Sequence, residues 1–129
     1  MITTTDIANI LYRDCQKFKI SVIPFGMDIT KKLKSPCVKI HSKRQQTEMY
    51  WNKSFVEVNL CIPDFSESEA DTVRLNELEQ KSWTILDDVT DSLKGTHYHY
   101  GIHSTAIEED KALGCHYVNV RLLFEVLNC

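Results

Sequence analysis

The alternation of apolar and polar side chains in residues 55–62 restricts the fold of this chain more sharply than any other pattern in it. Every second position carries a branched aliphatic residue: Val56, Val58, Leu60 and Ile62. Side chains two residues apart in a β-strand lie on the same face, so this pattern predicts a strand with one buried face and one more polar face. A sheet that buries one face needs another layer to cover it.

Two other stretches have the three- and four-residue spacing of amphipathic helices. The first follows Thr4, Thr5 or Asp6, any of which can cap a helix. Its apolar residues are Ile7, Ile10, Leu11, Cys15 and Phe18. The second is predicted to begin at residues 66–69, where serine and glutamate suit a helix N-terminus, and to stop at Gly95. Its apolar stripe comprises Val73, Leu78, Ile85, Leu86, Val89 and Leu93.

The remaining apolar runs predict four more strands, at residues 20–23, 37–41, 97–106 and 118–126, with a turn at residues 108–114. One face of the strand at 97–106 is predicted to carry Tyr98, Tyr100, Ile102, Ser104 and Ala106. The element order is then α-β-β-β-α-β-β. We therefore predict a single α+β domain, residues 1–129, in which two helices cover one face of an antiparallel-rich sheet of four to five strands.

Charge is distributed unevenly along the chain, whose formal net charge is −3. Residues 1–65 hold ten Lys/Arg and six Asp/Glu, a net of +4, whereas residues 66–129 hold five and twelve, a net of −7. The negative total argues against a general nucleic-acid binder. The apolar runs are too short to span a membrane, and the N-terminus lacks the pattern of a signal peptide, so we expect no membrane partner and no export.

Cysteine and glycine spacing argues against several kinds of enzyme. The five cysteines are irregularly spaced and include no C-x-x-C pair, which indicates free thiols in a reducing compartment. The four glycines form no phosphate-binding loop, and no Gly-x-Ser-x-Gly motif is present. The sequence therefore predicts a protein that is not an enzyme and has no cofactor.

The histidines suggest the one alternative function in which the protein is an enzyme. His97, His99 and His103 share one face of a predicted strand and are the candidate metal ligands. If the last two strands form a hairpin centred near residue 111, His99 lies opposite Leu123 and no third ligand is fixed. We therefore expect a polar strand face with no bound metal. The alternative is a small cytosolic metal-dependent enzyme that uses this strand.

Candidate interface residues occur in two polar segments. Tyr50 and Trp51 are large aromatic residues in a polar stretch, and such residues are enriched at interface cores, although packing onto the protein's own core explains them equally well. Charged neighbours complete the candidate set. The predicted interface residues are Lys43, Arg44, Tyr50, Trp51, Glu108, Glu109 and Asp110.

Four segments carry a family resemblance: FVEVNLCIPD at residues 55–64, AD at 70–71, RLNEL at 74–78 and HYVNVRL at 116–122. Together they resemble the small tail-completion proteins of long-tailed bacteriophages, known as tail terminator or neck terminator proteins. The resemblance extends over nearly the whole chain in the order and length of its elements. It rests on strands and a helix rather than on a catalytic motif.

The resemblance implies a structural virion protein without catalytic residues. Such proteins form a ring, commonly a hexamer, at the head-proximal end of the tail tube, where they stop tube growth and join the tail to the head. The implied partners are further copies of this chain, the tail tube protein and a head-completion or connector protein, while genomic DNA passes without specific binding. The implied location is the tail or neck of the virion, after assembly in the host cytoplasm. Another connector protein of similar fold, or a monomeric adaptor for a host protein, would share these features.

Overall fold

The fold was determined from a computed structural model that describes residues 2–24, 26–27, 29–42 and 53–127. These residues contain two helices and six strands, with a short 3-10 turn at Gln16–Phe18 after the first helix. The elements are α1 Thr4–Cys15, β1 Ser21–Val22, β2 Cys37–Ser42, β3 Lys53–Pro63, α2 Thr72–Ile85, β4 Val89–Leu93, β5 Thr96–Asp110 and β6 Cys115–Leu127.

The strands form one sheet in the order β1-β2-β3-β6-β5-β4. The β1–β2 pair is parallel and the other neighbours are antiparallel. The α+β class is therefore confirmed, but the expectation of four to five strands is wrong, since β4 was not predicted. Within the part of the chain that the structure describes, no helix is long and apolar enough to cross a membrane.

One apolar cluster joins both helices to the sheet. It contains Ile7 and Leu11 of α1, Leu75 and Leu78 of α2, and the predicted aliphatic face of β3. The corresponding face of β6 completes it with Val118, Val120, Leu122 and Phe124. Burying such side chains stabilises a protein by about 1.5–3 kcal/mol each, so the packing of the helices on this face of the sheet stabilises the fold.

The ends of both helices differ from the predicted ones. Helix α1 is capped by Thr3 rather than by residues 4–6: the Asp6 N–H donates to Thr3 Oγ1 and the Thr3 N–H to Asp6 Oδ2, both at 3.0 Å. Helix α2 begins after Asp71, whose carboxylate accepts the Arg74 N–H at 3.2 Å. Residues 66–69 form a turn instead, in which Ser68 has a positive φ of 61° that no helix accommodates.

The predicted continuation of α2 to Gly95 is also wrong. The helix ends at Ile85, and Val89 and Leu93 lie in β4. Lys94 and Gly95 both have positive φ, 51° and 81°, and connect β4 to β5. Two such residues between antiparallel strands are typical of a type I′ turn. Glycine is common both after the end of a helix and in a hairpin turn. The sequence pattern predicts Gly95 at the end of a helix, whereas the structure places it in a hairpin turn.

A β-bulge divides β5 into two halves. Ile102 pairs with Leu122 and Ser104 with Arg121, so His103 is an extra residue in its strand. Tyr98 and Tyr100 share one face, as predicted, and both are fully buried. Beyond the bulge the faces exchange, and the prediction that Ser104 and Ala106 share the face of the two tyrosines is wrong. Thr105 occupies that side instead and donates a 2.7 Å hydrogen bond to Glu79 of α2.

A buried carboxylate connects α1 to β5. Asp14 is 6% exposed and accepts hydrogen bonds from the Tyr100 hydroxyl at 2.6 Å and from Arg13 Nε at 3.0 Å. Two donors, one of them cationic, offset the cost of removing the carboxylate from water. Burial, together with the Asp14 charge, raises the pKa of the neighbouring Cys15 thiol from 9.0 to about 12.

The Cys15 shift predicts a loss of stability at alkaline pH. Above pH 9 the unfolded thiol releases its proton while the folded thiol keeps it, so unfolding becomes more favourable until the pH passes about 12. One proton corresponds to at most about 1.4 kcal/mol per pH unit. Urea titrations at several pH values should give a shallower decline in the free energy of unfolding for Cys15→Ala than for the wild type. Equal slopes for the two proteins would contradict the assignment.

The turn at residues 94–95 predicts that two substitutions change the free energy of unfolding in opposite directions. Gly95→Ala places a side chain at positive φ and should lower the free energy of unfolding by about 1 kcal/mol. Lys94→Asn should raise it by a few tenths, because asparagine tolerates the left-handed region better than lysine. Chemical denaturation of both variants checks this, and destabilisation by Lys94→Asn would contradict the turn assignment.

Candidate functional site

The three histidines predicted as candidate ligands do not converge. His97 is exposed, His99 Nε2 contacts Asp88 Oδ1 at 2.9 Å, and the His103 ring lies edge-on to Phe55 with centroids 5.2 Å apart. The register also differs from the predicted one, since His99 lies opposite Glu125 rather than Leu123. His103 contacts Phe55 on the face of the sheet that also carries His97 and His99, but each of the three has different neighbours, and the structure does not assemble them into a ligand set.

The predicted interface residues fall into two groups. Lys43, Arg44, Tyr50 and Trp51 lie outside the described residues. Glu108, Glu109 and Asp110 are the last residues of β5 rather than part of the turn, which comprises residues 111–114. Glu108 is exposed opposite Tyr117, whereas Asp110 accepts the Leu113 N–H at 3.1 Å and shapes the turn.

Glu109 belongs to a cluster that the sequence did not reveal. His116 Nδ1 lies 2.7 Å from Asp64 Oδ1, and His116 Nε2 lies 4.0 Å from Glu109 Oε2. The side chains of Asp64, His116 and Glu109 are 6%, 17% and 27% exposed. In the part of the chain that the structure describes, this is the one group of histidine, cysteine and acidic side chains that offers three ligand atoms within 4.8 Å of one another.

Strand pairing explains how the cluster forms. Glu109 and His116 are direct partners across the β5–β6 hairpin, and Ile62 of β3 is the partner of His116 on its other side. Asp64 follows two residues later and is fixed by its own N–H, which donates to the Gly114 carbonyl at 2.9 Å. The three residues are distant in sequence but meet where β3 ends and the hairpin turns.

A cavity of about 440 Å³ opens beside this cluster. Lys32 and Lys111 contribute its basic side chains, and Ser66 is among its polar ones. Lys32 belongs to the basic half of the sequence and Glu109 to the acidic half, so the two halves do not form separate surfaces at this end of the molecule. The geometry suits two tasks: binding a cation, or holding an imidazole in one orientation beside a carboxylate.

A second cluster consists of three buried thiols. Cys37 and Cys61 are direct partners on β2 and β3, and Cys115 belongs to the same apolar cluster. Hydrogen bonding to Cys115 and Cys37, together with burial, raises the pKa of the Cys61 thiol. Hydrogen bonding to Cys61 lowers the pKa of the other two. All three side chains are at most 3% exposed, so reagents do not reach them in the folded protein.

Comparison with known proteins adds no family assignment. The chain matches no protein-family model, and it matches none of the curated proteins with which it was compared.

Sequence reasoning missed the Asp64–Glu109–His116 cluster because its parts lie on three separate segments. The sequence places Glu109 in a predicted turn and among the interface residues, and His116 only in a segment that carries the family resemblance. The useful signal was the length of the last hairpin. Had the turn been placed at residues 111–114, the two-residue alternation would have put Glu109 opposite His116.

The thiol cluster predicts that burial governs cysteine reactivity here. Cys37 and Cys115 should be alkylated by iodoacetamide roughly 100-fold more slowly in the native protein than in urea, despite their lowered pKa values, because access requires opening of the structure. Peptide mass spectrometry after timed alkylation gives the rate at each residue. Native rates close to those in urea would show that the cluster is open to solvent.

Proposed function

We propose that this protein is a structural virion protein that forms a ring at the head-proximal end of a phage tail tube, stops tube growth and joins the tail to the head. The family resemblance of residues 55–64 and 116–122 supports the proposal, and so does the α+β fold with two helices. A protein with this role works by assembly, so its functional residues are those that contact neighbouring copies and the tube.

The observation that carries the proposal is a free sheet edge. Strand β4 pairs with β5 only from Thr96 to Tyr100, so residues 101–110 have β6 on one side and no other strand among the described residues on the other. A strand edge with unsatisfied backbone groups is a template for pairing with another chain. Ile107, 48% exposed on this edge, adds apolar surface for such a contact.

A closed ring needs two different patches on each subunit that fit each other. The β5 edge is one such patch. Glu108 and Glu109 add negative charge to it, which disfavours contact between two identical edges and favours a partner surface of different character. These features suit head-to-tail association rather than a symmetric dimer.

The decisive experiment is electron microscopy of tails assembled without this protein. Tails of uncontrolled length that fail to join heads are the expected result. Tails of normal length that lack heads would indicate the second possibility, a connector or completion protein on the head side of the joint. Normal infectious particles would exclude both roles.

A matched pair of variants tests the edge itself. Ile107→Asp introduces a charge on the β5 edge and should reduce complementation of a phage lacking the protein at least tenfold, because the substituted edge no longer buries apolar surface against a neighbour. Val73→Asp makes the same chemical change at a residue that is 68% exposed on α2 and should complement normally. Thermal unfolding of both purified variants controls for folding. Full complementation by Ile107→Asp would remove this edge from the interface.

A further inference from the structure

Asp64, Glu109 and His116 present ligand atoms of the kinds that bind divalent transition-metal ions. Imidazole nitrogen and carboxylate oxygen are both zinc ligands. Asp64 directly follows β3, Glu109 is near the end of β5 and His116 is near the start of β6, so an ion bound by Glu109 and His116 would add a link across the β5–β6 hairpin beside the contact of His116 with Asp64.

The contact between Asp64 and His116 orients the imidazole for metal binding. Asp64 Oδ1 accepts the proton of His116 Nδ1 at 2.7 Å, which leaves the lone pair of the neutral ring on Nε2. That nitrogen faces Glu109, whose Oε2 lies 4.0 Å away. A carboxylate that holds the far nitrogen of a ligating histidine is a recurrent arrangement at zinc sites.

The distance between the two donor atoms fits an ion after a small movement. Two ligands bound to zinc at about 2.0–2.1 Å in tetrahedral geometry are separated by roughly 3.3 Å. Glu109 therefore has to approach His116 by about 0.7 Å. The Glu109 side chain is 27% exposed and lies next to the turn at the end of β5, so we expect it to make this movement. The side chains of Asp64 and His116 are more deeply buried, and their contact already orients the imidazole.

Charge favours a cation at this point. Two carboxylates converge here, and among the described residues the only basic group within 4.0 Å of either is His116 itself. The cluster contributes two carboxylate charges, of which that of Asp64 is largely removed from water, while Lys32 and Lys111 line the cavity beside it. A divalent ion offsets both charges, and the adjoining cavity of about 440 Å³ admits the ion together with water ligands.

We propose that this cluster is a binding site for one zinc-class divalent ion, with His116 Nε2 and Glu109 as direct ligands, Asp64 as the positioning residue that orients the imidazole, and water from the cavity completing the coordination. All of the site's groups belong to one chain, so ion binding can be measured on the isolated protein without ring formation, although Glu109 also lies on the free β5 edge.

The test is a titration of the metal-free full-length protein with zinc chloride, followed by calorimetry, and with cobalt chloride, followed by absorption. We expect one ion per chain, a rise in the unfolding temperature, and a cobalt spectrum without a sulfur charge-transfer band. Glu109→Gln and His116→Gln should each weaken zinc binding at least tenfold. Asp64→Asn should weaken it while preserving the form of the cobalt spectrum, because the residue acts through the imidazole.

Two substitutions serve as matched controls. Glu108→Gln removes a charge from the adjacent residue, which points to the other face of the sheet, and His99→Gln disrupts a second histidine–carboxylate pair, at 2.9 Å, that has no third ligand. Both should bind zinc within twofold of the wild type. Circular dichroism checks the folding of every variant. If His116→Gln does not fold, Glu109→Gln decides the test, because the Glu109 side chain is the more exposed of the two.

The proposal is overturned by any of three results. The first is the absence of saturable zinc binding at concentrations up to millimolar. The second is unchanged affinity in Glu109→Gln. The third is a sulfur charge-transfer band with cobalt, which would place the ion on Cys37, Cys61 and Cys115 instead.

Discussion

The antiparallel pairing of β3 with β6 at the centre of the sheet is the constraint on which the rest of this structure depends. The two strands pair from Lys53 with Glu125 to Pro63 with Cys115, although the whole of α2 and the β4–β5 hairpin lie between them in sequence. Their shared aliphatic face is what both helices cover. The same register brings Asp64 to His116 at one end and joins Asn59 to Asn119 by a 2.8 Å hydrogen bond in the middle.

Local sequence patterns predicted the elements that depend on burial periodicity. The strand at residues 55–62, the apolar stripe of α1 and the last strand all follow from which side chains must leave water. The α+β class follows from the same patterns. What they could not give was the sixth strand, because Val89 and Leu93 fit a helical stripe as well as a strand. The positive φ values of Asp88, before β4, and of Lys94 and Gly95, after it, separate the two.

The candidate site was harder to predict for a related reason. Its geometry depends on register, and a displacement of two residues along a hairpin changes every cross-strand neighbour. Placing His99 opposite Leu123 rather than Glu125 was enough to hide the contact of Glu109 with His116. The segment that includes Tyr50 and Trp51 lies outside the described residues, so the aromatic part of the predicted interface stays a prediction.

The extra residue at His103 changes which positions of β5 face the interior, from even-numbered ones before it to odd-numbered ones beyond it. Before it, even-numbered positions such as Tyr98 and Tyr100 must remain apolar, and beyond it odd-numbered positions such as Thr105 take over the inward side. A relative that lost the bulge at unchanged strand length would have to exchange polar and apolar identities at all later positions of the strand together, whereas deletion of His103 alone would leave the later pairs with β6, and their faces, unchanged. Substitutions one at a time therefore do not remove the irregularity, but a single-residue deletion does.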